Sequence, residues 1–194
     1  MKSTPSRRFK PATAAFAAAA IGILATGCEG DQKEPQSSGA EENGISAMFA
    51  GKLETAGGGD FDAKILNRSD LILLYFSAGW CGPCKTITPI IKRLEEEAEN
   101  VSVVLVNLDF SDEEKAQYLE DSKIDWPSVK GTQNETIQGF VNEYKARRLP
   151  TLIVLSPGGD VITKDGIEDL RSDPDGALAK WKTQMQTASA GESS

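Results

Sequence analysis

Trp80-Cys81-Gly82-Pro83-Cys84-Lys85 stands between two runs of different character. Leu71 to Phe76, before it, is continuously apolar; Thr86 to Ala98, after it, is amphipathic. A short apolar run bounded by Asn67-Arg68-Ser69-Asp70 on one side and the cysteine turn on the other reads as a buried strand, Leu71 to Ser77. In the second run Ile87, Ile90, Ile91, Leu94 and Ala98 fall on one helical face, with Lys92, Glu95, Glu96 and Glu97 largely outside it. Pro89 lies within that helix and predicts a kink. The two cysteines therefore sit at a strand-to-helix junction, where unpaired backbone N–H groups and the positive end of the helix dipole favour a thiolate.

Downstream, Val101 to Leu108 is a second β-branched run and predicts a neighbouring buried strand. Ser111-Asp112-Glu113-Glu114 has the form of a capping box, so a short helix is expected to about Asp121. Ile124 to Val129 reads as an extended loop, and Asn134 as the cap of a helix bearing Ile137, Phe140, Val141 and Tyr144. Thr151 to Leu155 is a third apolar strand, turned by Ser156-Pro157-Gly158-Gly159-Asp160 into Val161 to Thr163. Asp173-Pro174 is expected to open a last helix, with Leu178, Trp181 and Met185 inward. Upstream, Ile45, Met48, Phe49 and Leu53 begin the folded part, followed by a turn at Gly57-Gly58-Gly59-Asp60 and a short segment from Phe61 to Leu66. Alternating strands and helices imply an α/β core with right-handed crossovers, and the final hairpin makes the sheet mixed.

The N-terminus is of another kind. Lys2, Arg7, Arg8 and Lys10 precede an uncharged apolar stretch from Ala12 to Thr26, and at about fifteen residues this suits an export signal better than a membrane span. It ends at Leu24-Ala25-Thr26-Gly27-Cys28, which resembles the bacterial lipoprotein signal. That resemblance implies lipidation of Cys28, a lipid anchor in the bacterial cell envelope facing the periplasm and, with Glu29 rather than Asp next in line, the outer membrane more than the inner. The expected organisation is a signal over 1–27, a flexible tether over 28–44, the folded domain over 45–186 and a disordered tail over 187–194. The chain carries 29 acidic against 21 basic residues and no histidine, and losing 1–27 would remove only basic ones. Such a charge balance excludes nucleic acid as a partner and leaves membrane attachment to the lipid.

The cysteine motif after a buried strand, together with Arg148-Leu149-Pro150-Thr151-Leu152 entering the third strand, resembles the thioredoxin superfamily. Tyr75-Phe76-Ser77-Ala78 and Asp125-Trp126-Pro127 are similar to its tryparedoxin and nucleoredoxin branch and to TlpA-like thiol–disulfide proteins. The resemblance implies a thioredoxin-like fold over roughly 45–186, with a central mixed β-sheet flanked by helices and the CxxC at a helix start. It implies an oxidoreductase acting on disulfides or dithiols of exported proteins with an external electron donor or acceptor, and no cofactor beyond the redox-active Cys81–Cys84 disulfide. Cys81, on the exposed turn, is expected to be the nucleophile and Cys84, further in, the resolving thiol. Gly82 allows the tight turn, Pro83 fixes φ at the helix start, and Trp80 packs beside the thiols with an indole N–H for the loop. Pro150 is implied to be cis, opposite the thiols, leaving the backbone of Leu149 to a substrate strand. Trp126 either borders the substrate groove or anchors its loop, and Arg147 and Arg148 either favour acidic partners or form a solvated pair.

One departure from the superfamily matters for mechanism. Many thioredoxins carry a buried Asp six residues before the first cysteine, paired with a Lys on the next strand; the matching positions here are Tyr75 and Leu105. Losing both members together avoids an orphaned buried charge, and leaves bound water, the Tyr75 hydroxyl, carboxylates or Lys85 as candidates to take the Cys84 proton. Two rivals to redox chemistry have little to stand on. A structural zinc ion needs about four ligands, and one cysteine pair without histidine leaves it short. A purely structural disulfide closing so small a loop constrains little. The remaining alternative is a lipid-tethered binding or assembly protein with the same fold and little turnover.

Overall fold

Two apolar runs, Leu71–Ser77 and Val101–Asn107, form the centre of the computed structural model, which describes residues 44–191. The expected signal peptide, the lipidation site Cys28 and the tether to residue 43 lie outside the described residues. In chain order the elements are α1 (Ile45–Phe49), β1 (Leu53–Glu54), a 3-10 helix (Ala63–Arg68), β2 (Leu71–Ser77), α2 (Gly82–Glu97), β3 (Val101–Asn107), α3 (Asp112–Ser122), β4 (Ser128–Val129), α4 (Glu135–Tyr144), β5 (Thr151–Leu155), β6 (Val161–Thr163), α5 (Gly166–Ser172) and α6 (Ala177–Gly191). The six strands form one mixed sheet in the order β1-β4-β3-β2-β5-β6. Pairing is parallel for β2 with β3 and β3 with β4, and antiparallel elsewhere. This is the thioredoxin-like fold, with the cysteine pair at the start of α2.

The continuous apolar reading of β2 follows from burial on both faces. Leu71, Leu73 and Tyr75 join Val101, Val103, Leu105, Leu152 and Val154 beneath α2, α3, α5 and α6. Ile72, Leu74 and Phe76 point the other way, with Val104, Val106 and Ile153, toward α1, the 3-10 helix and α4. No position of β2 reaches solvent, so no alternation of polar residues marks its pleat, and the one small polar residue, Ser77 at its end, is itself buried. The helix caps are those expected. Ser111 Oγ accepts from Glu114 N at 3.2 Å and Asn134 Oδ1 from Ile137 N at 3.0 Å. Glu114 reaches back, though to Phe110 N (2.9 Å) rather than to the cap residue itself.

The structure corrects three expectations and gives the short segment before β2 its form. Ser128–Val129, expected to be loop, is a strand pairing antiparallel with Leu53–Glu54. The segment before β2 is a 3-10 helix capped by Asp62, whose Oδ1 accepts from Lys64 N at 3.0 Å. Asp173 caps a turn, with Oδ1 accepting from Gly176 N and its carbonyl from Ala177 N, both at 3.0 Å, but regular helix begins only at Ala177. A separate short helix, α5, precedes it. The stretch expected to be a disordered tail from Thr187 instead continues α6 to Gly191, in keeping with the high helix propensity of its alanines. Asp169 ties α5 to α6: it accepts from Lys180 Nζ at 2.6 Å and from the buried Trp181 Nε1 at 2.8 Å. Burial opposes ionisation of Asp169, but these two donors outweigh it and lower its pKa.

Candidate active site

Cys81 and Cys84 form a disulfide, with an S–S length of 2.05 Å and Cα atoms 5.3 Å apart. Cys81 is the N-cap of α2: its Sγ accepts from Cys84 N at 3.2 Å, where a Ser or Asp oxygen usually sits. The sequence expectation of a thiolate favoured by a helix start thus has a named donor. Pro83 occupies the first turn, where its missing N–H costs nothing. Gly82 and Pro83 are exposed, but Cys81 itself is only 4% exposed, less open than the turn around it, and Cys84 is fully buried. The reason is packing: Ala78, Leu108 and Leu149 close over the sulfur pair. The Leu149–Pro150 bond is cis, and both residues are half-buried. Arg147 and Arg148, just before it, are exposed.

Trp80 stands out from the surface, 56% exposed, and its indole N–H donates to Leu108 O at 3.3 Å. The loop after β3 clasps the loop before Cys81 in a second way. The buried Asp109 accepts from Gly79 N and from Asn107 Nδ2, each at 2.8 Å. A Cβ at Gly79 would come within 3.1 Å of Tyr118 Cβ, so the close approach of α3 to this loop favours glycine. Phe110, 69% exposed, stacks on Trp80 with ring centroids 5.9 Å apart.

Behind Cys84 there is a chain of neutral hydroxyls. Tyr75 and Leu105 are sheet partners, as the alignment by strand position requires. The Tyr75 hydroxyl points at Cys84 O (3.4 Å) and shares a hydrogen bond with Thr88 Oγ1 at 3.1 Å. Thr88 donates to the same carbonyl at 3.0 Å and meets Tyr118 Oη at 3.1 Å; Tyr118 in turn meets Ser77 Oγ at 2.7 Å. Burial, and next the neighbouring Tyr118, push the Tyr75 phenol far above its ordinary range. A phenol held neutral in this way is a donor rather than a base, which removes Tyr75 from the candidates for the Cys84 proton.

Trp126 is 3% exposed and packs edge-on against Tyr75 at 6.4 Å. It is the loop anchor of the two readings, and it has no surface to offer a substrate groove. Its indole N–H meets no acceptor at hydrogen-bond geometry; it faces Glu95, where it partly offsets the burial that raises that carboxyl's pKa. Lys85 is exposed on the first turn of α2. Sequence reasoning missed Asp109, Phe110 and the Ser77–Thr88–Tyr118 chain. Thr88, one helical turn after Cys84, was the only one with a local signal.

Comparison with known proteins agrees with this geometry. A family profile described as Thioredoxin-like matches residues 69–161. Human nucleoredoxin is 30% identical over 138 residues, 69% of this chain but only 31% of that protein, so the chain spans about a third of its length. The tryparedoxin of Trypanosoma brucei brucei is 31% identical over 114 residues, 57% of this chain and 78% of the relative. Among solved structures, a thioredoxin from Wuchereria bancrofti superposes with a TM-score of 0.58 at 35% identity, covering 67% of this chain and 92% of that one.

Proposed function

The chain belongs to the thioredoxin-like family, and from that premise we propose that it is a thiol–disulfide oxidoreductase that reduces or exchanges disulfides in exported proteins. The observation that carries the reading is the Cys81 sulfur seated as the cap of α2, in line with Cys84 N. In the dithiol form Cys81 is the thiolate, stabilised by that N–H and by the helix dipole. It attacks a substrate disulfide; one substrate sulfur leaves as a thiolate and the other is held as a mixed disulfide on Cys81. Cys84, buried directly behind, then attacks Cys81 Sγ and releases the second substrate thiol. Two electrons have passed to the substrate, and the protein holds the Cys81–Cys84 disulfide until an external dithiol reduces it. Gly82 and Pro83 shape the turn, and Trp80 and Pro150 flank the reacting sulfurs. Leu149, packed on the cysteine pair, offers its backbone to an extended substrate segment.

The sequence from Lys2 to Cys28 supports an envelope location, with the domain held to a membrane through lipid on Cys28. Fatty-acid labelling in a lipoprotein-processing bacterium is expected to require that residue, and label retained by Cys28→Ser overturns the anchor.

The activity is tested by insulin reduction. With dithiothreitol as electron donor, the wild-type chain is expected to bring forward precipitation of the insulin B chain. Precipitation at the uncatalysed time, with Cys81–Cys84 demonstrably reduced, contradicts the proposal and leaves a tethered binding protein.

A further inference from the structure

We propose that the cleft between α2 and α3 holds a basic and apolar segment of the client polypeptide, adjacent to the client's reactive cysteine. The inference rests on the exchange reading above and deepens it by naming the substrate class. Its starting point is the solvent-facing Trp80–Phe110 stack. Large exposed aromatics mark interaction surfaces. These two are also preorganised: the Trp80 indole is tied to Leu108 O, and Phe110 N to the Glu114 carboxylate.

The pair rims a cleft of ≈ 670 Å³ whose walls include Pro89 of α2 and Tyr118 of α3. Charge specifies the occupant. Asp109, Glu114 and Asp121 line the cleft against the single basic residue Lys85. The rest of α3 adds Asp112, Glu113 and Glu120, while its one lysine, Lys115, is buried on Glu54 at 2.5 Å. Asp109 is buried and taken up by Gly79 N and Asn107 Nδ2, so the exposed lining carboxylates are Glu114, oriented by Phe110 N, and Asp121, oriented by Gln117 Nε2 (2.8 Å). Apolar walls with an acidic edge complement lysine or arginine beside an aliphatic or aromatic residue.

The cleft is lined by Trp80 but not by either cysteine. Trp80 directly precedes Cys81 in the chain, so a client whose cysteine reaches Cys81 brings the residues next to that cysteine to the aromatic pair at the rim of the cleft. A polypeptide supplies such neighbouring residues.

The test uses the full-length chain in its dithiol form, in single turnover, with two tetrapeptide disulfide homodimers. One carries Lys and Leu beside its cysteine, the other Glu and Leu. Each turnover converts the peptide disulfide to two thiols and the protein dithiol to Cys81–Cys84. At low ionic strength the lysine peptide is expected to react roughly ten-fold faster. The difference should shrink to about two-fold in E114Q/D121N, where the orienting hydrogen bonds survive but the charges do not. It should persist in E97Q/E99Q, which removes equal charge at the far end of α2. Equal rates for the two peptides, or an equal loss in both double variants, overturns the cleft assignment. The same Glu114 and Asp121 dependence with cystamine, a cationic disulfide lacking a peptide backbone, overturns the polypeptide. So does a lysine-peptide rate that falls as protein self-association rises, since a second copy would then fill the cleft. No reaction with either peptide, together with no insulin reduction, strikes at the exchange reading itself and takes this inference with it.

Discussion

Cys81→Ser is expected to lower insulin reduction by roughly a thousand-fold or more, to the background set by the reductant. Serine keeps the capping geometry at the start of α2, since its oxygen accepts from residue 84 N as the sulfur does. The fold is therefore retained while the nucleophile becomes a hydroxyl that is not ionised at neutral pH. Cys84→Ser should lose turnover as well, but by a different route. Its Cys81 still attacks, and the mixed disulfide persists because nothing behind it can resolve it. The two variants separate on non-reducing gels: adducts accumulate with Cys84→Ser and not with Cys81→Ser. Equal residual turnover in both would remove the distinction between attacking and resolving thiol.

The second large effect concerns the hydroxyl chain. Tyr75→Asp is expected to cost about 3–5 kcal/mol of stability, from the cavity left by a fully buried aromatic and from a carboxylate without a cationic partner. The sign of its pH dependence follows from burial. The folded-state pKa of the new carboxyl lies above the unfolded value of about 3.9. Stability is therefore least reduced below that value and falls further as pH rises toward the folded pKa. Leu105 is the sheet partner of Tyr75, so Leu105→Lys on the same background supplies the missing cation. The double variant should recover more than about 1 kcal/mol relative to additivity. Tyr75→Phe, which removes only the hydrogen bonds to Thr88 and Cys84 O, should cost about 1–2 kcal/mol. Urea unfolding near pH 4 and pH 7 measures the wild type, Tyr75→Asp, Leu105→Lys alone, the double variant and Tyr75→Phe. Strict additivity would mean that the paired absence of acid and lysine is coincidental.

The elements legible in the sequence are those whose signals are local. The apolar run of β2, the stripe of α2, the caps Ser111 and Asn134 and the strand Thr151–Leu155 each follow from neighbours a few residues apart. The cysteine cap and the cis bond before Pro150 lie within motifs and were readable for that reason. β1 and β4 were not: two-residue strands have no periodicity, and Leu53 pairs with Val129 only because the whole sheet assembles them. α5 follows Asp165, which makes no side-chain cap bond, so its start carries no mark. Burial of Trp126 depends on Tyr75 lying beneath it, which periodicity does not reveal. The hydroxyl chain joins Ser77 to Tyr118 across 41 residues, and Asp109 holds Gly79 across 30. Polar contacts over such separations exist only in the fold. They also make Cys84 differ from the superfamily pattern: neutral hydroxyls stand where many thioredoxins carry a buried acid.

Cys81 attacks and Cys84 resolves in the proposed reaction. The most direct measurement is the intact mass of Cys84→Ser after reaction with an excess of a peptide disulfide, followed by mapping of the modified residue. One peptide adduct per chain is expected, mapped to Cys81, stable over the assay and released by dithiothreitol. No adduct, or an equal yield from Cys81→Ser carried on Cys84, would contradict it.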